Sequence, residues 1–303
     1  MSHTRISVVT SCFNAAPWVE DTIRSVLQQR YSELQYIFID GASKDDTLAI
    51  ARRYEDELAI LRSEADDGQY HGIQKGMALA DGEVMAWLNG DDIYCPWTLS
   101  VVDEVFAQFP EVDWIVGTPS FMNGRSQCVR VSGNSGSAYP REYIRQGWFR
   151  PELAGYLQQE SMFWRRSLWE RCGGLNLSLR LAADFDLWRR FAEYADLVSV
   201  NVPLAMFRQH AEQRSSLGQQ RYEEEVRQVC GGLERPSALW RTLASKGERS
   251  RHLCRMLSWY RAPVISYSAR EQRWVKTQAL RPLARTSAAD LLLEQATRAG
   301  AGT

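Results

Sequence analysis

The sequence predicts an α/β fold with a mostly parallel central sheet covered by helices on both faces. Two observations predict it: short β-rich apolar runs alternate with segments of helical spacing, and the alternation begins near the N-terminus. Alternation of this kind builds parallel strands joined by crossover helices. The 303 residues are 45% hydrophobic and 24% charged, an ordinary globular composition that allows one large domain or two smaller ones.

Five runs in the first half of the chain have the composition of buried strands. They are rich in Val, Ile, Phe and Tyr, as expected for parallel strands that are apolar on both faces. In chain order they are RISVVTSCF, LQYIFID, AILRSE, EVMAWL and DWIVGTPSF.

Helical patterns separate these strands. The first, PWVEDTIRSVLQQ, has Pro17 in its first turn and apolar residues at helical spacing, namely Val19, Ile23, Val26 and Leu27. The others are KDDTLAIARRYEDE, HGIQKGMALAD and PWTLSVVDEVFAQF, and LWERCGG and FDLWRRFAEYA follow later in the chain.

Two regions lack the alternation. Residues 122–148 are rich in Gly, Ser, Asn and Arg and are predicted to form an irregular loop region. From about residue 213 only helical or irregular patterns follow. We therefore predict an α/β domain over residues 1–213 and a basic, helical C-terminal extension over residues 214–303.

The two predicted parts differ in charge. Residues 1–213 carry 20 Lys and Arg against 29 Asp and Glu, a net charge of −9, whereas residues 214–303 carry 16 against 8, a net charge of +8. Within the second part, HLCRMLSWYRAP has the pattern of a basic amphipathic helix, which is typical of binding to an anionic membrane surface. The alternative is a helix that packs on the domain and leaves its arginines in solvent.

Several classes of protein are not indicated. There is no G-x-G-x-x-G after the first strand and no P-loop, so neither a dinucleotide-binding Rossmann fold nor a P-loop nucleotidase is predicted. The six cysteines include no C-x-x-C pair, which argues against a metal cluster or a redox dithiol. With no apolar run near 20 residues and no apolar N-terminal segment, we expect a cytoplasmic protein.

Acidic residues collect where the predicted strands end, and ligands of open α/β sheets bind beyond those ends. They are Asp40, Asp66, Asp67, Asp91 and Asp92. The last two follow an Asn-Gly pair that we expect to be a turn, leading into a helix rather than a second strand. Carboxylates without a Gly-rich phosphate loop predict Mg²⁺ or Mn²⁺ bridging the protein to a diphosphate. The alternative is that each Asp is a helix cap or a turn residue.

Five blocks in order carry a resemblance to a known family. They are ISVVTSCFNAAPWVEDTIRSVLQQ, YIFIDGASKDDT, SEADDGQYHGIQKGMALADGEVMAWLNGDD, ESMFWRRSLWERCGGLNLSLRLAADFDLW and PLAMFRQHAEQRS. Together they resemble the family 2 glycosyltransferases, which have the GT-A fold. The chain departs from the family pattern at Ser11, where Pro is common, at Gln74, where Asn is common, and in AADFD, which lacks a frequent Glu.

The resemblance implies a nucleotide-binding role for several residues. Asp40 would bind the uracil or ribose edge of the nucleotide, helped by Thr10 and Asn14. Asp67 and Lys75 would lie near the nucleotide and its diphosphate.

The resemblance also implies a metal site. Asp92, with Asp91 beside it, would coordinate Mn²⁺ or Mg²⁺ and place the donor sugar. His210 matches a histidine that closes over the diphosphate or joins the metal ligands. A lone histidine is otherwise more often an ordinary surface or core residue.

Asp184 matches the carboxylate that acts as general base in the family. Asp186 remains an alternative because of the missing Glu, and both residues could instead stabilise a helix N-terminus. Glu160 is a candidate contact for the acceptor or, equally, a helix cap.

These expectations combine into one predicted activity. The chain would be a metal-dependent inverting glycosyltransferase that moves a sugar, expected to come from a UDP-sugar, to a glycan or lipid-linked acceptor in surface polysaccharide synthesis. Such a protein needs no nucleic acid and could contact the inner membrane face through its basic segment. The alternatives are a nucleotidyltransferase and an inactive module that binds nucleotide sugars or glycans.

Overall fold

The computed structural model describes residues 3–132, 138–150, 156–210, 218–231 and 259–282. The strands are β1 Ile6–Cys12, β2 Leu34–Asp40, β3 Ile60–Ser63, β4 Val84–Trp87, β5 Ile93–Tyr94, β6 Trp114–Val116, β7 Ser120–Asn123, β8 Cys128–Val131, β9 Met162–Arg165, β10 Leu197–Val200, β11 Ala205–Gln209, β12 Trp259–Ser268 and β13 Arg273–Pro282. The helices are α1 Val19–Leu27, α2 Thr47–Arg52, α3 Gln69–Met77, α4 Thr98–Gln108, α5 Arg141–Arg145, α6 Arg166–Cys172, α7 Ala183–Phe191 and α8 Gln219–Cys230.

The central sheet has nine strands in the order β13-β12-β10-β6-β9-β4-β1-β2-β3. β1 pairs in parallel with β2 and β4, β2 with β3, and β10 with β6 and β12. β9 runs antiparallel between β4 and β6, and β13 runs antiparallel to β12. The predicted mostly parallel α/β sheet is therefore confirmed.

Successive residues of the central strands face opposite sides of the sheet, so each strand contributes to two cores. Val8 and Phe38 pack on one side with α1, α2 and α4. Val9 and Ile37 pack on the other side with α3, α6 and α7. Burial on both sides is the physical reason that consecutive residues in the middle of these strands are apolar.

A second, four-stranded sheet has the order β5-β11-β7-β8. β11 pairs antiparallel with β5, which directly follows the turn after β4, and parallel with β7. This pairing carries the end of β11 to the carboxyl end of the central sheet. The prediction of an irregular loop region over residues 122–148 is wrong in part, because β8 and α5 lie in that stretch and β7 ends in it.

The C-terminal part differs from the sequence prediction. Residues 219–230 are helical as expected, but Trp259–Pro282 form a long antiparallel hairpin that extends the central sheet from β10. Residues 259–263 belong to β12, so the amphipathic helix predicted across HLCRMLSWYRAP is wrong there. Its earlier residues, Leu253, Met256 and Leu257, lie outside the described residues, and the boundary at residue 213 stays a prediction.

Within the described part of the chain, the helices are too short or too polar to cross a membrane.

Candidate active site

A cavity of about 1590 Å³ lies beyond the carboxyl ends of β1 to β4. Its walls come from the segments that follow these strands, from residues 156–160, from the start of α7 and from the end of β11. This is the edge at which open α/β sheets bind ligands. Of the acidic residues that follow β3 and β4, Asp66, Asp67 and Asp91 line this cavity.

The turn after β4 presents Asp91 to the cavity. Asn89 accepts the turn hydrogen bond from the backbone N–H of Asp92 (3.2 Å). A Cβ on Gly90 would lie only 2.6 Å from the Cβ of Cys12, so glycine lets this turn pack against the end of β1. Asp91 lines the cavity, and its side chain is 30% exposed.

His210 stands beside Asp91 at the end of β11. Its Nε2 atom lies 3.1 Å from Asp91 Oδ2. Its ring packs on the indole of Trp18, with the ring centroids 3.9 Å apart. All three residues line the cavity, so a carboxylate and an imidazole lie side by side in its wall.

Asp92 does not line the cavity. It is 1% exposed, and its Oδ1 accepts a hydrogen bond from the backbone N–H of Arg208 (2.9 Å) while its Oδ2 accepts one from Asn89 Nδ2 (3.2 Å). Burial, with the nearby charges of Asp91 and Glu160, raises the pKa of the Asp92 carboxyl. The geometry thus places Asp91, rather than the predicted Asp92, where a cavity ligand could be reached.

Arg208 holds this turn in place. Its side chain is fully buried, and its Nε donates to the carbonyl oxygen of Asp91 (2.6 Å). Its Nη1 donates to Ser126 Oγ (2.8 Å), and its Nη2 lies 3.3 Å from Asp21 Oδ2. Arg208 therefore connects the turn to α1 and to the β7–β8 hairpin, a role that the sequence did not reveal.

The residues at this end of the cavity fit a divalent cation. Among the described residues no group of three or more His, Cys, Asp and Glu side chains forms a complete metal site. A Mg²⁺ or Mn²⁺ ion commonly takes only one or two protein ligands and completes its coordination with water and substrate phosphates. Asp91 and His210 fit that incomplete type of site.

Only some of the residues predicted to bind the nucleotide line the cavity. Asn14 lines the cavity, with its Oδ1 accepting a hydrogen bond from the Lys44 backbone (2.8 Å). Thr10 is buried against the hydroxyl of Tyr36 (3.1 Å) and does not line it. Asp40 is also buried, and its Oδ2 accepts hydrogen bonds from Ser63 Oγ (2.6 Å) and the Ser43 backbone (3.2 Å). Thr10 and Asp40 are therefore buried behind the cavity wall.

The same holds for the residues predicted to lie near the diphosphate beyond β3, of which some line the cavity and others do not. Asp67 lines the cavity with an exposed carboxylate, and Asp66 lines it while accepting a hydrogen bond from the Gly68 backbone (2.8 Å). Lys75 lies outside the lining and pairs with Glu64 (3.0 Å). In this arrangement the Lys75 side chain is directed to a surface carboxylate rather than into the cavity.

Asp184 lies in the first turn of α7 and lines the cavity. Its Oδ1 accepts hydrogen bonds from the Tyr70 hydroxyl (2.9 Å) and the Phe185 backbone (2.8 Å). Burial raises the pKa of this carboxyl, and these two hydrogen bonds oppose the rise. Asp186, the alternative base, points elsewhere and pairs with Arg190 (2.8 Å).

Glu160 is 3% exposed and lines the cavity. Its Oε1 has no hydrogen-bond partner among the described residues. Burial, with a contribution from the charge of Asp91, raises the pKa of Glu160 to about 8. A buried carboxyl oxygen without a protein partner is suited to contact a polar group of a bound ligand.

The sequence did not indicate the aromatic wall of the cavity. Trp87 and Trp188 stack with ring centroids 5.4 Å apart, and both line it. Tyr156 and Tyr222, 5.6 Å apart, form another part of the wall. Trp87 and Trp188 are 1% and 2% exposed, so they form a buried backing of the cavity wall that arises only where β4 meets α7.

Comparison with known proteins identifies the family. Residues 7–172 match the profile of the glycosyl transferase family 2, which is more than half of the chain. An uncharacterized glycosyltransferase of Mycobacterium tuberculosis is 29% identical over 250 residues, covering 82% of this chain and 88% of that protein.

Solved structures show the same fold. S. aureus TarS 1–349 in complex with UDP-GlcNAc matches with a TM-score of 0.61 at 14% identity, covering 84% of this chain and 70% of that chain. The mannosyltransferase PcManGT from Pyrobaculum calidifontis, in complex with GDP-Man and Mn²⁺, matches with a TM-score of 0.52 at 16% identity, covering 84% and 79%. The chain has the GT-A fold, and with the match over residues 7–172 it belongs to glycosyl transferase family 2.

Proposed function

We propose that the protein is a metal-dependent inverting glycosyltransferase that uses a nucleotide-sugar donor, expected to be a UDP-sugar. The acceptor would be a glycan or a lipid-linked glycan in surface polysaccharide synthesis. The observation that carries the proposal is that Asp184 and the pair Asp91–His210 line one cavity although they come from distant segments of the chain. A displacement reaction needs a base and a cation site in one cavity, because the base deprotonates the acceptor while the cation stabilises the leaving group.

Asp184 is the proposed general base. The acceptor oxygen forms a bond to the anomeric carbon as the bond between that carbon and the diphosphate oxygen breaks. The acceptor hydroxyl gives its proton to Asp184, and the nucleoside diphosphate leaves with the bonding electron pair. Tyr70 orients the carboxylate through its 2.9 Å hydrogen bond, and the raised pKa of Asp184 makes it a better proton acceptor than an exposed aspartate.

Asp91 and His210 are the proposed ligands of Mn²⁺ or Mg²⁺. When bound, the cation would neutralise charge on the departing diphosphate. Arg208 keeps Asp91 in place, and Trp18 supports the His210 ring. The names of two structural relatives support the donor class, since one is bound to UDP-GlcNAc and the other to GDP-Man and Mn²⁺.

Asn14, Asp66 and Asp67 are the proposed contacts for the nucleotide, because they line the cavity beyond β1 and β3. Glu160 would accept or donate a hydrogen bond with a sugar hydroxyl, which supplies its Oε1 with a partner. The buried, stacked indoles of Trp87 and Trp188 would give the cavity a rigid apolar wall that helps to keep water from the reacting carbon.

We also propose a cytoplasmic location with contact to the inner membrane face. The support is the net charge of +8 over residues 214–303, which favours anionic lipid. Part of this charge lies on exposed residues of the hairpin β12–β13, among them Arg261, Arg270 and Arg273.

The proposal is tested by incubating the protein with a panel of nucleotide sugars, Mn²⁺ or Mg²⁺ and a glycan or lipid-linked acceptor. We expect release of a nucleoside diphosphate, and product NMR should show the anomeric configuration opposite to that of the donor. A parallel incubation with nucleoside triphosphates and sugar 1-phosphates that released pyrophosphate would instead indicate a nucleotidyltransferase. Tight donor binding without turnover would indicate an inactive binding module.

Single substitutions, measured in the same assay, test the role proposed for each residue. Asp184→Asn should lose turnover and keep donor affinity, since it removes only the proton acceptor. Asp91→Asn should lose the response to added cation. Asp186→Asn is the matched control and should keep turnover, because Asp186 pairs with Arg190 away from the cavity. Loss of donor binding in Asp184→Asn would contradict its role as base.

A further inference from the structure

Glu225 of α8 makes a concentrated set of hydrogen bonds to the chain just before α7. Its carboxylate accepts from three consecutive backbone N–H groups, those of Arg180 (3.0 Å), Leu181 (2.7 Å) and Ala182 (3.0 Å). Its side chain is 10% exposed, and Arg221 on the same helix lies 3.3 Å from its Oε1. Burial raises the pKa of Glu225, but these hydrogen bonds outweigh burial and hold the pKa below its usual value.

The bonded segment leads directly to Asp184. Ala182 is the N-cap residue of α7, and its carbonyl accepts the first helical hydrogen bond, from the Asp186 backbone (3.0 Å). No side chain of the N-cap residue bonds to the helix end, since alanine has no acceptor. The carboxylate of Glu225, from another helix, therefore binds the N–H groups of the N-cap residue and the two residues before it, and places a negative charge near the N-terminus of α7.

Tyr70 also contacts both the segment before α7 and Asp184. Its hydroxyl lies 3.1 Å from the carbonyl of Leu181 and 2.9 Å from Asp184 Oδ1. Residues 180–182 are thus held by Glu225 through their N–H groups and contacted by Tyr70 at a carbonyl. The direction of the Asp184 side chain depends on both.

α8 also forms part of the cavity. Tyr222 and the preceding Gly218 line it, and Val226 packs against Ala182 and Phe185. This helix lies in the segment that the sequence assigned to a separate extension. One face of α8 therefore contributes a wall residue, an apolar contact and the carboxylate that holds the start of α7.

We propose that Glu225 is a positioning residue for Asp184, and that α8 is for this reason a component of the active site rather than an appendage. The inference rests on the proposed function, in which Asp184 is the general base. Glu225 acts through the backbone of residues 180–182 and touches no reacting atom.

The charge of Glu225 allows the proposal to be tested by the pH dependence of kcat, which a purely structural role would not change. Tyr70 from α3 and Glu225 from α8 both act on the pKa of Asp184, and the charged side chains of Arg180 and Asp67 line the same cavity. The negative charge of Glu225 raises the pKa of Asp184, whereas the Tyr70 hydrogen bond lowers it. Removing the charge should lower the pKa of Asp184 and so move the acid limb of the pH–rate profile to lower pH.

The test compares Glu225→Gln with Glu224→Gln, which removes the same charge from an exposed position on the same helix. For Glu225→Gln we expect kcat to fall roughly 10- to 100-fold, as for other small displacements of a catalytic group, with the donor KM unchanged. The acid limb of kcat should move to lower pH. Glu224→Gln should match the wild type in all three measurements.

A wild-type kcat and an unmoved acid limb in Glu225→Gln, with only a lower melting temperature, would overturn the proposal. If Glu225→Gln does not fold, Glu225→Asp serves, since it keeps the charge on a shorter side chain. It should lower kcat without moving the acid limb, and an unchanged kcat would overturn the proposal. Failure of the proposed function is distinct, because the wild type would then release no nucleoside diphosphate or Asp184→Asn would keep turnover.

Discussion

Asp91 and Asp92 are adjacent residues with opposite environments. Asp91 faces the cavity beside His210, while Asp92 is buried under the turn and bonded to Arg208 and Asn89. Adjacent side chains in a tight turn point in different directions, so a two-residue motif does not say which carboxylate is the accessible one. Arg208 determines which carboxylate is accessible, because its backbone N–H donates a hydrogen bond to the buried carboxylate of Asp92.

At the residue scale, Tyr70→Phe tests how the candidate base is tuned. The variant removes a hydrogen bond that favours the charged form of Asp184, so the pKa of Asp184, already raised by burial, should rise further. Activity needs the deprotonated base and is lost as the pH falls through that pKa. The acid limb of the pH–rate profile should therefore move to higher pH, opposite to the shift expected for Glu225→Gln.

The measurement is kcat against pH at saturating donor. An acid limb that stays in place, or moves to lower pH, would contradict the assignment of that limb to Asp184. Tyr36→Phe is a suitable control, because Tyr36 is a buried tyrosine that bonds to Thr10 rather than to a cavity carboxylate.

At the element scale, α3 owes its position to glycine. A Cβ on Gly76 would overlap Val9 Cγ1, and one on Gly72 would overlap Ser11 Oγ. Both partners lie on β1, a central strand paired on both sides. Small residues on this face therefore let α3 approach the sheet closely enough for Tyr70 to reach Asp184.

Gly76→Ala should consequently destabilise the protein. Alanine gains about 1 kcal/mol in helix propensity, but overpacking against the buried Val9 costs about 1–3 kcal/mol, so we expect a net loss of about 1 kcal/mol. The measurement is the free energy of unfolding in urea. Gly124→Ala is the control, because nothing lies within 4 Å of the added Cβ, and its effect should stay within about 0.5 kcal/mol. Equal stabilities of the two variants would contradict this account.

At the scale of the whole molecule, the hairpin β12–β13 belongs to the central sheet. β12 pairs with β10, and Val264 and Ile265 are fully buried. Trp274 on β13 is buried against α4, where its Nε1 donates to Glu104 Oε2 (2.6 Å) and its carbonyl accepts from Gln108. The C-terminal part and the family domain therefore share one hydrophobic core.

Trp274→Ala should lower the free energy of unfolding by about 3–5 kcal/mol, as for other buried tryptophans. Unfolding followed by tryptophan fluorescence and by circular dichroism should give one coincident transition, since the hairpin and the sheet unfold together. Leu280→Ala, at an exposed position of the same strand, should cost less than about 1 kcal/mol. Two separate transitions in the wild type would show that the hairpin is an independent unit.

Local pattern was sufficient for the first half of the fold. Val8, Val9, Ile37 and Phe38 lie in strands that are apolar on both faces, and the strand-to-helix alternation leaves few alternatives to a parallel sheet. The hairpin over Trp259–Pro282 was missed because strand pairing is decided by partners far away in the chain. Its apolar residues fit a helical face as well as a strand face when that partner is unknown.

The sequence by itself determined the fold class and the edge of the sheet where the site lies, because these depend on periodicity and on which residues end each strand. It also indicated the family, through five blocks in order that resemble the family 2 glycosyltransferases. It also identified Asp91, Asp184, Glu160 and His210 as candidates that the cavity brings together. Only the tertiary structure decided that Asp92, Asp40, Thr10 and Lys75 lie outside the lining and that Glu225 holds the start of α7. Side-chain direction and burial arise from contacts between distant segments, and no local pattern encodes them.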